Sequence, residues 1–177
     1  MGARDNKARL HKYEKTLIDV TLKVNGNNRQ LQVEDRALLA DTLRDALHLT
    51  GTHIGCDTSQ CGCCTVLVND AAVKSCTMLT AQADGCSITT IEGLAPAGEL
   101  HPVQRAFSEC HALQCGFCTP GMIMATVDLL KNAPAPDNKT IQHGLEGNLC
   151  RCTGYINIER AVLRASELTA DRPDSDS

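Results

Sequence analysis

The N-terminal half of the chain alternates apolar and polar residues with the period of β-strands. Residues 17–24 alternate in this way, Asn25-Gly26 supplies a tight turn, and residues 29–34 predict the returning strand of a hairpin. Between residues 38 and 49 the apolar positions recur at helical spacing, which predicts a short amphipathic helix. Two further strands are predicted at residues 65–68 and 87–91.

Beyond residue 94 the pattern becomes helical. Pro96, Gly98 and Pro102 interrupt the chain within a few residues, and we place a domain boundary there. Thr119-Pro120 offers an N-cap and a first-turn proline. Helices are predicted at residues 101–113, 121–132, 140–146 and 156–168, with a proline-containing linker at residues 133–137.

These patterns divide the chain into four parts. Residues 1–15 form a basic leader, and residues 16–95 form a compact unit of strands, one helix and a cysteine-rich loop. Residues 96–168 form a helical domain. Residues 169–177 are acidic and small, a composition that predicts a disordered tail. The expected fold class is α+β.

The amino-acid composition limits the kinds of function that this protein can have. The 177 residues carry a net charge of −4 and only four aromatic side chains, which argues against a nucleic-acid partner. No apolar run approaches the roughly 18 residues of a membrane span. The first fifteen residues lack the apolar core of a secretory signal, so we expect a cytoplasmic protein. Disulfides are rare there, and eleven cysteines are an odd number for complete pairing.

Eight of the eleven cysteines fall into two quartets. The first is Cys56-x4-Cys61-x2-Cys64, followed by Cys76. The C-x4-C-x2-C spacing is that of plant-type [2Fe–2S] proteins, in which a loop wraps thiolates around two irons. Glycines and other small residues within this loop let backbone N–H groups approach the sulfur atoms. The pattern predicts an iron–sulfur cluster, with a zinc site as the main rival.

The second quartet is Cys115-x2-Cys118 with Cys150-x-Cys152. Each pair lies beside a predicted helix N-terminus, where exposed N–H groups and the positive end of the helix dipole favour anionic thiolates. We therefore expect a second four-sulfur cage at one end of the helical domain. Two such centres in a small chain indicate transfer of single electrons.

The remaining cysteines and the histidines have simpler interpretations. Cys63 lies inside the first loop, but using it would shorten the ligand spacing, so Cys64 is the better ligand. Cys63, Cys86 and Cys110 are interpreted as packed small residues. The six histidines follow no metal-site spacing, and no motif of a substrate-converting site is present.

Both halves of the chain resemble the iron–sulfur subunit of the molybdenum hydroxylase (xanthine dehydrogenase) family. The resemblance covers about residues 16–168 and is carried by Gly55-Cys56, Cys61-Gly62, Cys64-Thr65-Val66, Ser75-Cys76, residues 114–121 and residues 147–155. It implies an N-terminal plant-ferredoxin-like β-grasp domain and a C-terminal four-helix-bundle domain, each binding one [2Fe–2S] cluster. Cys63 departs from the family, which usually has Ala or Ser there.

The resemblance also implies two partner subunits and a path for the electrons. A large subunit would hold molybdopterin, as its cytosine dinucleotide, and a medium subunit would hold FAD, in an (αβγ)2 complex. Electrons would pass from molybdenum to the Cys115/Cys118/Cys150/Cys152 cluster, then to the Cys56/Cys61/Cys64/Cys76 cluster, then to FAD. Gln114 and Cys152 match positions that contact the pterin in relatives. For Gln114 the alternative is an amide that satisfies backbone groups at a helix end.

The substrate is less defined. Residues 50–59, 73–78 and 87–93 are most similar to small subunits of aerobic carbon monoxide dehydrogenases, which indicates CO. The alternatives are N-heteroaromatic, nicotine-type and aldehyde dehydrogenases of the same family. Two further hypotheses remain open, a stand-alone two-cluster ferredoxin and a zinc-stabilised interaction module.

Overall fold

The computed structural model of this protein describes residues 15–95 and 98–170. The predicted basic leader, apart from Lys15, and the predicted tail beyond Ala170 lie outside the described residues. Five strands form the first unit: β1 (Leu17–Val24), β2 (Asn27–Glu34), β3 (Thr65–Val68), β4 (Ala71–Lys74) and β5 (Ser87–Thr89). Its short helix α1 (Leu39–Asp41) continues as a wide turn over Thr42–Ala46.

The five strands form one sheet in the order β2-β1-β5-β3-β4. β1 pairs with β2, and β3 with β4, as antiparallel hairpins, while β1 and β5 run parallel. Both hairpin turns have two consecutive residues with positive φ, Asn25-Gly26 at 49° and 79° and Asn69-Asp70 at 49° and 66°. This backbone matches the right-handed twist of the flanking strands.

The helix predicted at residues 38–49 is wrong in length and character. Only Leu39–Asp41 is α-helical, and the following turn is wide because the Leu47 amide bonds the carbonyl of Thr42, five residues back. His48 has a φ of 57°, a left-handed conformation that ends the helical turn. Leu39 and Leu43 nevertheless lie in the core, where they pack with Leu22, Val66 and Ile88.

Four helices follow in the second unit: α2 (Pro102–Glu109), α3 (Thr119–Asn132), α4 (Asn138–Leu145) and α5 (Ile156–Ala170). Their buried faces form a separate core that includes Phe107, Met122, Ile141, Ile158 and Val162. The α+β fold class, with a sheet domain first and a helical domain second, is therefore confirmed.

Each of the four helices differs from its predicted limits at one end or both, most notably α2 and α3. α2 ends at Glu109, short of the predicted residue 113, because His111 has a left-handed φ of 52°. α3 begins at Thr119 with Cys118 as its N-cap residue, so Thr119 is inside the helix rather than its cap. The second difference matters for the site, since it attaches a cysteine directly to a helix N-terminus.

Candidate metal centres

The first quartet comes from one loop and one turn of the sheet unit. Cys56, Cys61 and Cys64 lie on the loop between α1 and β3, and Cys76 lies on the helical turn Ser75–Thr77 that follows β4. The hydroxyl of Ser75 donates to the carbonyl of Cys64 at 2.7 Å, which brings Cys76 beside Cys64. Cys64 and Cys76 are buried, with exposed fractions of 1% and 3%, and Cys56 and Cys61 are partly exposed.

Backbone conformation in this loop directs N–H groups at sulfur. Asp57, Ser59 and Gly62 have φ values of 62°, 61° and 74°, so the chain curls around Cys56. The amides of Cys61 and Thr58 donate to Cys56 Sγ at 3.3 and 3.4 Å. These backbone hydrogen bonds, that of Cys61 first, lower the pKa of Cys56 to about 6. The loop therefore stabilises a thiolate at this position.

Two buried thiols of the same loop have a pKa that is raised instead of lowered. Burial raises the pKa of Cys64 to about 11 and that of Cys63 to about 12, with neighbouring sulfur atoms contributing in both cases. A coordinated metal ion deprotonates such thiols outright, because its charge is the largest in the site. Burial here consequently favours a bound metal over free thiolates.

The second quartet is assembled from two distant segments of the helical unit. Cys115 and Cys118 lie on the turn that leads into α3, and Cys150 and Cys152 lie on the loop that leads into α5. Cys152 Sγ and Cys115 Sγ are 3.6 Å apart. Cys115 and Cys152 are exposed, whereas Cys150 is buried.

Side chains, rather than backbone amides alone, hold the second quartet. The hydroxyl of Thr153 donates to Cys150 Sγ at 3.1 Å, and the phenol oxygen of Tyr155 accepts from the Cys150 amide at 2.9 Å. For Cys150, burial opposes ionisation, but hydrogen bonds from Thr153 and from the Cys152 amide outweigh it and lower the pKa. Burial, followed by the hydrogen bond with Cys150, raises the pKa of Cys118 to about 12.

The donor set of each quartet fits a two-iron cluster better than a single metal ion. Two sulfurs on one tetrahedral metal at about 2.3 Å lie roughly 3.8 Å apart, close to the Cys115–Cys152 distance of 3.6 Å. In the part of the chain that the structure describes, no three His, Cys, Asp or Glu side chains converge on a position for one ion. Within the two ligand sets the sulfurs neighbour one another in pairs: Cys56 with Cys61, Cys64 with Cys76, Cys115 with Cys152, and Cys118 with Cys150. Cys63, outside both sets, also contacts Cys61.

Hydrogen bonds to two backbone carbonyls of the first cysteine loop connect the loops that carry the two quartets. The amide of Leu149 donates to the carbonyl of Cys61 at 2.9 Å, and Asn148 Nδ2 donates to the carbonyl of Gly62 at 3.0 Å. Each of these residues is within two positions of a cysteine of its quartet. The loops that carry the two sites are therefore held at a fixed separation.

Glycines make this close approach possible. A Cβ on Gly62 would lie 2.4 Å from the carbonyl oxygen of Gly147, and one on Gly121 would lie 2.2 Å from the carbonyl oxygen of Gly62. Both contacts are with backbone, which cannot rotate away as a side chain can. The junction between the units consequently admits no side chain at either position.

The cysteines interpreted as packed residues occupy distinct places. Cys63 is buried between the quartets, since its sulfur acts electrostatically on Cys61 and Cys64 on one side and on Cys118 on the other. Cys86 packs against the core of the sheet unit, and Cys110 packs against the helical core.

Three residues that connect the sites were not predicted from the sequence: Lys74, Asn148 and His53. Lys74 donates from Nζ to Asn148 Oδ1 at 2.8 Å, and Asn148 lies buried between the two loops. His53 stacks on Phe117 with ring centroids 4.7 Å apart, and its Nδ1 is 2.8 Å from the Phe117 carbonyl. Asn148 falls within the motif at residues 147–155 and could have been noticed. Lys74 and His53 carry no comparable signal in the sequence.

Large apolar side chains lie exposed on the two chain segments that carry the second quartet. Four large side chains near Cys115 and Cys152 are exposed, by 42% for Leu113, 46% for Phe117, 54% for Leu149 and 62% for Ile156. We call these four residues the apolar rim. Gln114 lies exposed between Leu113 and Cys115. Clusters of this kind mark surfaces that bind another protein.

Among residues 15–95 and 98–170, no helix has the length and apolar character needed to cross a bilayer. The longest helix, α5, has 15 residues and an acidic first turn.

Comparison with known proteins places both units in iron–sulfur families. Residues 22–88 match the model of the 2Fe-2S iron-sulfur cluster binding domain, and residues 90–163 match that of the [2Fe-2S] binding domain. The nicotine 6-hydroxylase small subunit of Paenarthrobacter nicotinovorans is 49% identical over 84% of this chain and 89% of its own. Caffeine dehydrogenase subunit gamma of Pseudomonas sp. strain CBB1 is 48% identical over 85% of this chain and 92% of its own.

A chain of a solved structure is also similar to this chain in sequence and in fold. Quinoline 2-oxidoreductase from Pseudomonas putida 86 contains a chain that is 44% identical and superposes with a TM-score of 0.84. The match covers 87% of this chain and 96% of that chain.

Proposed function

Because this chain belongs to the iron–sulfur small subunits of the molybdenum hydroxylase family, we propose that it relays electrons from a molybdopterin centre on one partner subunit to FAD on another. When bound, each [2Fe–2S] cluster accepts and releases one electron at a time. Cys115, Cys118, Cys150 and Cys152 would hold the entry cluster. Cys56, Cys61, Cys64 and Cys76 would hold the exit cluster.

The observation that carries this proposal is the contact between the two cysteine loops. The Leu149 amide bonds the Cys61 carbonyl at 2.9 Å, so a ligand loop of one site touches a ligand loop of the other. A chain that merely stored two metals has no need for such contact. A fixed, short separation is what transfer of an electron between two clusters requires.

The apolar rim supports the direction of the relay. Its residues lie within four positions of Cys115 or Cys152, which are themselves exposed, whereas Cys64 and Cys76 of the first quartet are buried. We propose that the large molybdopterin subunit covers the rim, and that Gln114 and Cys152 contact the pterin there. A medium FAD subunit would receive electrons from the first site, in an (αβγ)2 complex. A free ferredoxin that exchanges electrons in solution has less need of so apolar a surface.

We propose a nitrogen-heteroaromatic substrate for the complex. The relatives described above are named for nicotine, caffeine and quinoline, all of which contain a nitrogen heteroaromatic ring, and not for carbon monoxide. They favour the heteroaromatic alternative over CO. No residue of this chain is assigned to substrate, because the proposed oxidation takes place on the large subunit.

Native purification tests the proposal. We expect the chain to copurify with larger subunits that contain molybdenum and FAD, and to carry about four irons and four acid-labile sulfides. After reduction with dithionite, electron paramagnetic resonance should show two distinct [2Fe–2S] signals. Isolation as a lone chain with both signals would favour the stand-alone ferredoxin. A colourless protein that contains zinc and no sulfide would exclude both.

A further inference from the structure

Lys74 places a cation at the junction of the two cysteine loops. It is the last residue of β4, two positions before Cys76, and its side chain is partly buried. Nζ donates to Thr65 Oγ1 at 2.9 Å and to Asn148 Oδ1 at 2.8 Å. Asn148 in turn lies two positions before Cys150 of the second quartet. The lysine therefore extends from a ligand segment of one site to a ligand segment of the other.

The charge of Lys74 is directed toward the first quartet. Its Nζ donates to the hydroxyl of Thr65, the residue after Cys64, and Lys74 itself precedes Cys76 by two positions. Its contact with the second unit is made instead through the side chain of Asn148, two positions from Cys150. Within residues 15–95 and 98–170, no carboxylate lies within 4.0 Å of Nζ to neutralise this charge. Lys131, an exposed cation, lies instead 3.6 Å from the carboxylate of Asp70.

We propose that Lys74 raises the reduction potential of the first cluster relative to the second, and so makes the step between them favourable. In that step one electron leaves the Cys115/Cys118/Cys150/Cys152 site and enters the Cys56/Cys61/Cys64/Cys76 site. No bond breaks and no proton moves. The reduced first site carries one more negative charge than the oxidised site. A partly desolvated cation beside it stabilises the reduced form more than the oxidised form.

The hydrogen bond with Asn148 explains why this cation stays in place. A lysine side chain has a flexible stem of four carbons, so its ammonium samples many positions in water. Here two oxygen acceptors, one from each unit, fix Nζ at the junction. Lys74 thus sets the potential difference between the two sites, a role that rests on the relay described under Proposed function.

Potentiometric titration followed by electron paramagnetic resonance tests the inference on the purified native complex. Lys74→Met keeps the side-chain length and removes the charge. In this variant we expect the equilibrium constant for one-electron reduction of the first cluster to fall on the order of tenfold. For a one-electron couple this is about 59 mV toward more negative potential. The second cluster should shift less. Lys74→Arg keeps the charge and should retain most of the native potential.

Lys131→Met is the matched control. Lys131 also joins the two units, through a 3.6 Å contact with Asp70, but it is exposed and its charge is balanced. We expect neither potential to change. Unchanged potentials in Lys74→Met, equal shifts of both clusters, or the same shift in Lys131→Met would each overturn the inference. Absence of two [2Fe–2S] signals in the unaltered complex would instead reject the proposed function itself.

Discussion

The two cysteine quartets of this chain differ in how they are built and where they lie. The first takes three sulfurs from a single loop and keeps two of its four cysteines buried in the sheet unit. The second joins two segments that are distant in sequence and leaves Cys115 and Cys152 exposed. Three ligands of the first site are therefore close together in sequence, whereas the second site exists only once α3 and α5 are in place.

The supporting contacts differ in the same sense. Backbone amides of Thr58 and Cys61 stabilise Cys56, and they depend on loop conformation rather than on particular side chains. In the second quartet, the side chains of Thr153 and Tyr155 contact Cys150. The comparison indicates a first site defined mainly by local backbone geometry and a second site defined by packing, with two cysteines of the second site exposed.

The largest effect is expected when one ligand cysteine is replaced, which should remove one cluster and leave the other. Cys150→Ser should remove or alter the second signal in electron paramagnetic resonance and leave the first, because the quartets use separate ligands. Cys64→Ser should do the reverse. Each variant is the other's control, and iron content should fall by about half in both. Loss of both signals in a folded Cys150→Ser chain would contradict the proposed partition of ligands.

A methyl group at Gly121 should separate the two sites. Its Cβ would lie 2.2 Å from the Gly62 carbonyl oxygen, a backbone atom that cannot move aside alone. We expect Gly121→Ala to reduce the free energy of unfolding by about 2 kcal/mol, as overpacking does. Urea titration measures this.

Gly144→Ala in α4 is the control for that variant. The added methyl would meet the flexible end of the Leu129 side chain at 2.7 Å rather than backbone, and alanine favours the helix. We expect a smaller loss of stability than for Gly121→Ala. Equal losses in the two variants would show that the backbone contact at the junction is not the cause.

The apolar rim should matter for partner binding and not for the clusters. Replacing Phe117 with Ser removes a large contact surface beside the second quartet, and we expect affinity for the large subunit to fall about tenfold or more. Leu17→Ser, on a similarly exposed side chain of the sheet unit, serves as control. Both chains should retain two cluster signals. Pull-down with the large subunit distinguishes them, and undiminished binding by Phe117→Ser would exclude the rim as the interface.

The smallest effect is expected at Cys63. If it is a packed residue rather than a ligand, Cys63→Ala removes one buried sulfur and should reduce the free energy of unfolding by about 1 kcal/mol, with both clusters retained. Iron analysis and electron paramagnetic resonance on the purified chain provide the check. Loss of the first signal would show that Cys63, and not Cys64, is a ligand.

Local features of the fold were predictable to different degrees. The limits of β1 agree with the prediction because alternation is strong and Asn25-Gly26 defines the turn. β4 was missed, since Ala71 and Ala72 have little strand preference and the strand exists through pairing with β3. Asn69-Asp70, with positive φ at both residues, was the available signal for that hairpin.

The cysteine spacing by itself determined the kind of chemistry and the two candidate ligand sets, because the C-x4-C-x2-C loop and the two close cysteine pairs are patterns of iron–sulfur ligands. Only the tertiary structure decided how the two sites relate. It brought Cys61 against Leu149, buried Cys63 between the quartets and directed Lys74 at the first of them. The contacts across the junction, Cys61 with Leu149 and Lys74 with Asn148, join residues far apart in the chain, and nothing in local sequence encodes a distance or a charge between two domains.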